Sequence, residues 1–387
     1  MYFHNIEIDD WTTKNVSKWY NKKAIILFRL KVTSMFKRFL ITLIAALIGG
    51  VIFQIIGTPI PWLLGPMTAV FIGSRFIKTP LYWPTWIRDA GLIIVGYSIG
   101  LSFTKAAFFQ IIAKLPMMML MTVTLILFCA GIAIIVSKLT GVDYPTVLTG
   151  SIPGGLSQMI TFAEEMKGID ITTVTFLQVA RLMMIIFFVP FLIFGPFFHN
   201  AAITQEVSDL SGQALHTTLL NFLLFAVLCV GAAFIAKKIK APTPYLLGPI
   251  LITAILTIAG VHGPALKPSI LDLSQFMIGS HIGLLLKPEK LQHKARIITL
   301  ALFSGMTMIL GSLGLSYFLV FYDHLTPSTS FLSVAPGGMD QMAIMAHEIN
   351  ADLSMVTGYQ LFRLFFIYFA VPPFLRWFFI SRKRQKA

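Results

Sequence analysis

The sequence predicts an all-α integral membrane protein of about ten transmembrane helices. They form two inverted-topology repeats of five, each with a re-entrant or broken Pro-Gly-Gly helical hairpin. Three observations predict it. First, 56% of the 387 residues are hydrophobic, only 12% are charged, and the mean hydropathy is +0.81; soluble chains carry about 25% charged residues. Second, the chain repeats itself. Pro61-Trp62-Leu63-Leu64-Gly65-Pro66 returns as Pro244-Tyr245-Leu246-Leu247-Gly248-Pro249, and Ser151-Ile152-Pro153-Gly154-Gly155-Leu156-Ser157-Gln158-Met159 as Val334-Ala335-Pro336-Gly337-Gly338-Met339-Asp340-Gln341-Met342, both at an offset of 183. Gln178-x-x-Arg181 returns as Gln360-x-x-Arg363 at 182. Third, the cations gather where alternate crossings would meet one side of a bilayer.

The elements follow in order. Residues 1–35 lie outside the repeat and are expected to be a cytoplasmic extension, with Trp11, Trp19 and Tyr20 able to anchor an interfacial helix. Met35 is an alternative start, since Lys37 and Arg38 alone make an ordinary entry to a first span. The first repeat (36–198) contains apolar blocks at 39–57, 61–77, 89–104, 115–137 and 171–198. An external linker, 199–215, precedes the second repeat (216–380), with blocks at 217–236, 244–260, 270–286, 297–321 and 353–380. A basic tail, 381–387, closes the chain. Crossing the hydrocarbon as helix takes about 17–25 residues, and these continuous blocks lack the period-2 alternation of barrel strands.

The net charge of +14 does not indicate a nucleic-acid partner. Lys37, Arg38, Arg75, Lys78, Lys138, Lys237, Lys238, Lys240, Lys287, Lys290, Lys294, Arg296 and the tail cations fall on one side if every block crosses once. That is the positive-inside pattern, and it predicts a multi-pass membrane protein with both termini cytoplasmic. Lys105 and Lys114 are the exceptions. Five crossings carry the chain outside at 199–215, so the second repeat starts from the opposite side to the first.

This count leaves 143–166 and 327–348 as hairpins. Irregular backbone at membrane depth must be buried in protein or line a watery cavity. The candidate substrate-binding residues are therefore Pro153, Gly154, Gly155, Ser157, Gln158, Pro336, Gly337, Gly338 and Gln341, with Gln178, Arg181, Gln360 and Arg363 behind them. A helix starting at such a break points free N–H groups and a positive dipole end toward it, which suits an anion; the alternative is a packing kink. Arg181 and Arg363 lie about mid-bilayer at ~1.5 Å rise per residue. A lipid-facing arginine there costs about 2.5–3.5 kcal/mol or more, so both should face the interior, paired with carboxylates, with backbone carbonyls or with substrate.

Asp340 replaces Ser157, His347 replaces Glu164, and Glu348 corresponds to Glu165. Asp340 is the first candidate for coupling to a cation or proton, with His347, Glu348, Glu164 and Glu165 behind it; the glutamates also suit helix ends at the membrane surface. Asp170 and Asp352 read as helix caps. Cys129 and Cys229 read as membrane packing, no phosphate loop or zinc spacing occurs, and no cofactor is expected.

The repeated Leu-Leu-Gly-Pro, Pro-Gly-Gly and Gln-x-x-Arg motifs resemble the AbrB family of bacterial multi-spanning membrane proteins with an internal AbrB duplication. The resemblance covers about residues 39–380. It supplies architecture rather than an active site: members have been described as regulators of gene expression, and others carry an ammonia monooxygenase label. The family shares its name with a small DNA-binding regulator that this chain does not resemble. The leading expectation is secondary transport of a small anionic organic solute on a proton or sodium gradient. A membrane-embedded sensor acting through a partner is the alternative, and a membrane oxygenase a remote one. The expected partners are the bilayer, the solute and the coupling ion; a homodimer is compatible by analogy with other inverted-repeat transporters.

Overall fold

The computed structural model describes residues 10–77, 79–166, 168–195, 215–285 and 294–384, with side chains left out near the ends of these segments and at Leu156 and Ser157. The expected external linker, Lys78, Lys287, Lys290 and the side chains of Trp11, Trp19, Tyr20, Ser157, Lys294, Arg296 and the basic tail thus lie outside the description.

The described residues form helices and no strands. The first half gives α1 (Asp10–Ile56), α2 (Pro61–Phe76), α3 (Thr85–Leu101), α4 (Lys105–Ala113), α5 (Leu115–Thr140), α6 (Tyr144–Ser151), α7 (Leu156–Glu165) and α8 (Ile171–Ile193). The second gives α9 (Leu215–Lys238), α10 (Pro244–Ile258), α11 (Pro268–Gly283), α12 (Lys294–Asp323), α13 (Pro327–Val334), α14 (Met339–Glu348) and α15 (Leu353–Arg384). The polar extension is continuous with the first span in α1.

Six helices are long and apolar enough to cross a membrane: Thr33–Ile56, Leu115–Thr140, Ile171–Ile193, Asn221–Lys238, Ala301–Asp323 and Leu353–Phe379. The chain is therefore a multi-pass membrane protein. The other four blocks expected to cross become helices of 16, 17, 15 and 16 residues (α2, α3, α10, α11). At ~1.5 Å per residue, 16 residues reach only about 24 Å. Proline at the first turn sets where α2, α10 and α11 begin. The block expected to run to residue 104 stops at Leu101, and α4, which the sequence reading did not assign, leaves at 88° to α3. Thr104 caps α4 by accepting from the Ala107 N–H.

Irregular backbone recurs at the repeat offset. The left-handed residues Gly57, Ile60 and Gly141 are matched by Lys240, Thr243 and His324. Left-handed Ile60 and Thr243 stand immediately before the prolines that open α2 and α10. For β-branched residues this conformation is a genuine outlier, held only where packing fixes it.

The helices pack as two bundles. In one, α2 packs on α1 and α11, α10 packs on α9 and α3, and α3 crosses α11. Small residues set these contacts. A Cβ on Gly96 or Gly100 would stand 2.6 Å from the Leu246 carbonyl oxygen or 2.5 Å from Thr253 Cβ on α10. A Cβ on Gly279 or Gly283 would stand 2.4 Å or 2.5 Å from the Leu63 or Met67 carbonyl oxygen on α2. Gly-x-x-x-Gly on one face is what lets membrane helices approach this closely. The second bundle holds α5–α8 and α12–α15, with α6 against α5 and α8, and α13 against α12 and α15. Outward-facing Ile44, Ile55, Leu127, Ile134, Val227, Phe234, Phe303 and Leu310 remain exposed, as a lipid-facing surface requires.

Candidate functional site

The Pro-Gly-Gly segments fold as the duplication predicts, into paired short helices. Asp170 opens α8 by accepting from the Thr172 and Thr173 N–H groups, and its own N–H donates to Thr146 Oγ1 at 3.1 Å, at the start of α6. Further along α8, Gln178 Nε2 donates to the carbonyls of Thr149 and Ile152 at 3.0 and 2.9 Å, at the far end of α6. Thus α6 runs alongside α8, and α7 with five following residues returns the chain to the α8 start. The second half repeats this: the Asp352 N–H donates to Thr329 Oγ1 at 3.1 Å, Asp352 accepts from the Met355 N–H, and Gln360 Nε2 donates to the carbonyls of Leu332, Ser333 and Ala335.

The two mid-span arginines sit at the breaks. Arg181 Nη1 donates to the carbonyls of Ser151 and Ile152, each at 3.0 Å, and Nη2 to Gln178 Oε1 at 2.7 Å. Arg363 donates to the carbonyls of Ala335 at 2.7 Å and Gly337 at 2.8 Å, and to Gln360 Oε1. Both residues are buried, and neither forms an ion pair among the described residues. The guanidinium forks, together with Gln178 and Gln360, satisfy the carbonyls where α6 and α13 end. Of the three roles open from sequence, backbone-carbonyl pairing occupies the Nη donors, while Arg181 Nε is buried without a hydrogen-bond partner.

Pro153 and Pro336 are buried at the tips. Gly155 and Gly338 precede α7 and α14 with φ of −63° and −74° and no side-chain cap of their own; at α14 the Asp340 carboxylate instead accepts from the Asp340 and Gln341 N–H groups. Gly154 and Gly337 are needed for closeness rather than for a left-handed turn: a Cβ would meet Met159 and Ile367, or Met342 and Ile185, at 3.0 Å or less.

A cavity of about 700 Å³ lies between the bundles and reaches both breaks. Gly155, Gln158, Asp340 and Gln341 line its depth, and Leu92, Leu182, Leu246, Ile278 and Leu364 give it apolar walls. Exposed Lys240 and the Glu165–Arg376 ion pair stand at its watery rim. Arg88 also faces it, with its guanidinium bonded to Asp89 at 2.6 Å and 3.3 Å from His281 Nε2. Asp340 Oδ2 accepts from Gln341 Nε2 at 2.8 Å. Between the same bundles, beyond α14, is a pocket of about 20 Å³ lined by Ser98, Gln275, His347 and Glu348. There Gln275 Nε2 donates to Glu348 Oε1 at 2.8 Å.

The candidate residues thus divide. Gly155, Gln158, Gln341, Asp340 and Glu165 share the large cavity; His347 and Glu348 belong to the small pocket; Gln178, Arg181, Gln360 and Arg363 support the breaks; Glu164 is exposed. Sequence reasoning missed Arg88, His281 and Gln275. Their signal was present, since α3 and α11 align as Asp89 with Asp272, Gly96 with Gly279 and Gly100 with Gly283, which makes polar departures from the repeat worth inspecting. The unexplained external cation Lys114 pairs with Asp323 at 2.6 Å, and Tyr359 donates to the same carboxylate. Among the described residues, no three His, Cys, Asp or Glu side chains stand together as a metal site.

The profile of the family described as "Transition state regulatory protein AbrB" matches residues 62–379. The chain belongs to this family. It is 25% identical over 358 residues to "Uncharacterized protein YhjN" of Bacillus subtilis (strain 168), covering 85% of this chain and 90% of that protein. It is 26% identical over 337 residues to "Putative regulator AbrB" of Escherichia coli (strain K12), covering 86% and 94%.

Proposed function

We propose that this AbrB-family chain is a secondary active transporter of a small anionic organic solute, driven by a proton or sodium gradient, and is not an enzyme. The observation that carries the reading is the unequal pair of spaces between the bundles. One is about 700 Å³ and reaches both Pro-Gly-Gly breaks, while the other is about 20 Å³ and is bridged by Gln275 and Glu348. The residues one repeat earlier, Leu92 and Glu165, both line the large cavity. A site reached from one side while its pseudo-equivalent path is shut is what alternating access requires.

The proposed topology is ten spans, with short α2, α3, α10 and α11 crossing inside the bundle, in two inverted repeats of five. Several contacts support the inversion. Hairpin α6–α7 starts beside the start of α8, and its end is tied to the C-terminal half of α15 by Glu165–Arg376. Hairpin α13–α14 starts beside the start of α15. The hairpins therefore enter from opposite ends of α15. With the basic ends of α9 and α15 inside, the large cavity faces the cytoplasm of a bacterial plasma membrane. The N-terminus of α7 at its break, together with Arg88 and Lys240, favours an anion; the apolar walls favour an organic one. A homodimer is compatible with this arrangement.

The test is charge movement in proteoliposomes on a solid-supported membrane, screening carboxylates, amino acids and phosphorylated metabolites across pH and sodium steps. A saturable current supports transport. Silence there and in isotope flux, with folded protein, would sink it. The name of the Escherichia coli relative favours one other reading, a membrane sensor that acts through a partner. It requires ligand binding without flux and a specific partner captured by the intact chain.

A further inference from the structure

We propose that Asp340, Gln341 and Gln158 form a sodium-binding site in the wall of the large cavity. Its role as the coupling site rests on the transport reading; the binding itself does not.

The geometry begins with one hydrogen bond. Gln341 Nε2 donates to Asp340 Oδ2 at 2.8 Å, which fixes which end of the amide is which. The other end, Gln341 Oε1, is buried and meets no donor, although Gln341 is only 3% exposed and lines the cavity. Gln341 Oε1 and Asp340 Oδ1 converge beside Gly338, at 1.9 and 2.7 Å from the point where a Cβ on that residue would stand. A side chain here would push both oxygens from these positions.

Gln158, one repeat earlier, is held in the same sense. Its Nε2 donates to the Tyr368 carbonyl at 3.0 Å, and its Oε1 is left buried without a donor on the same cavity wall. A buried acceptor without a partner calls for an explanation, an unplaced ion among them.

Three oxygens with one formal negative charge suit a hard monovalent cation. A divalent ion draws on more carboxylates and oxygens. A proton on Asp340 could serve one amide oxygen and leave the other without a donor. The Asp340 carboxylate accepts from the Asp340 and Gln341 N–H groups and feels the Arg88 charge, and its remaining lone pairs face the site. Arg88 is bound to Asp89, Arg376 to Glu165, His281 stands beside Arg88, and Lys240 is exposed at the rim. Ser157 in place of Asp340 removes the charge from the other break, so the duplicated frame carries one cation site rather than two.

The experiment uses full-length protein purified in detergent, without solute or gradient. Sodium chloride is titrated against choline and potassium chlorides at constant ionic strength, reading radioactive sodium binding and the thermal unfolding midpoint. We expect saturable, sodium-specific binding with a rise in midpoint. Asp340→Asn and Gln341→Leu should weaken it at least tenfold, Gln158→Leu less, and Glu164→Gln not at all. Asp340→Glu, which keeps the charge, serves if the neutral variants do not fold, and should shift the preference among lithium, sodium and potassium. Equal responses to all three salts, a response to pH alone, or undiminished binding in folded Asp340→Asn would each overturn the site. Sodium binding without solute flux would sink the transport reading and leave the site standing; flux without sodium binding would do the reverse.

Discussion

Gln275 and Glu348 join α11 to the end of α14 through one 2.8 Å hydrogen bond, whereas Leu92 and Glu165, their counterparts one repeat earlier, stand on the wall of an open cavity. On the proposed transport reading, two pseudo-equivalent positions in unlike states mark one end of a rocking cycle. The contact should therefore open during turnover. In a background with Cys129 and Cys229 replaced by alanine, Gln275→Cys with Glu348→Cys should be bridged by a short thiol crosslinker and the solute current abolished. Leu92→Cys with Glu165→Cys should resist the same reagent at rest. A bridged Gln275/Glu348 pair with full current would remove the gate.

Arg363 is expected to matter first for folding. Replacing it by methionine leaves the carbonyl of Gly337 and the oxygen of Gln360 without this donor, and the carbonyl of Ala335 with Gln360 Nε2 alone. Each buried group left unsatisfied costs about 1–3 kcal/mol. The thermal midpoint in detergent should fall well below that of a Glu164→Gln control. Lysine should rescue only part of the loss, because an ammonium on a flexible stem does not reproduce a planar fork. An unchanged midpoint for Arg363→Met would mean that the cap contributes nothing.

The glycine contacts give a paired test of the bundle. A Cβ at Gly279 would stand 2.4 Å from the Leu63 carbonyl oxygen, while one at Gly131 meets nothing within 4 Å. Gly279→Ala should destabilise by about 1–3 kcal/mol through overpacking. Gly131→Ala should stabilise by roughly 0.5–1 kcal/mol through helix propensity. The comparison reads as opposite shifts in unfolding midpoint, and shifts of the same sign would contradict the packing of α11 on α2.

The helical class and the hairpin boundaries were legible because proline and glycine punctuate the chain at matching places. The reading placed breaks within 143–166 and 327–348, and α6–α7 and α13–α14 fall there. What the sequence could not apportion was the work of the mid-span arginines. A carbonyl partner leaves no residue signature, whereas a carboxylate would have. Arg88 and His281 are missed for another reason: Arg88 stands just before one apolar block and His281 inside another, and only the crossing of α3 with α11 brings them to 3.3 Å. The blocks for α2, α3, α10 and α11 were expected to end one to three residues late because apolar character continues past the last helical turn, while α3 and α11 begin earlier than their blocks, at Thr85 and Pro268.

The division between structural and solute-facing cations leads to a final expectation. Arg181 and Arg363 direct donors to backbone carbonyls and Gln side chains, while Arg88 lines the large cavity with Asp89 balancing its charge. Arg88→Ala should therefore fold near parent levels yet lose the current evoked by anionic solutes, with the half-saturating concentration raised at least tenfold in any residual signal. Arg88→Lys should keep part of it, since the charge survives without the fork. His281→Ala should alter solute preference less steeply, because His281 reaches the cavity beside the guanidinium and not in place of it. The measurement is solute-evoked charge movement matched to folded protein by size exclusion. A well-folded Arg88→Ala with parental half-saturation would move anion recognition to the N-terminus of α7, which no side-chain substitution at Arg88 could touch.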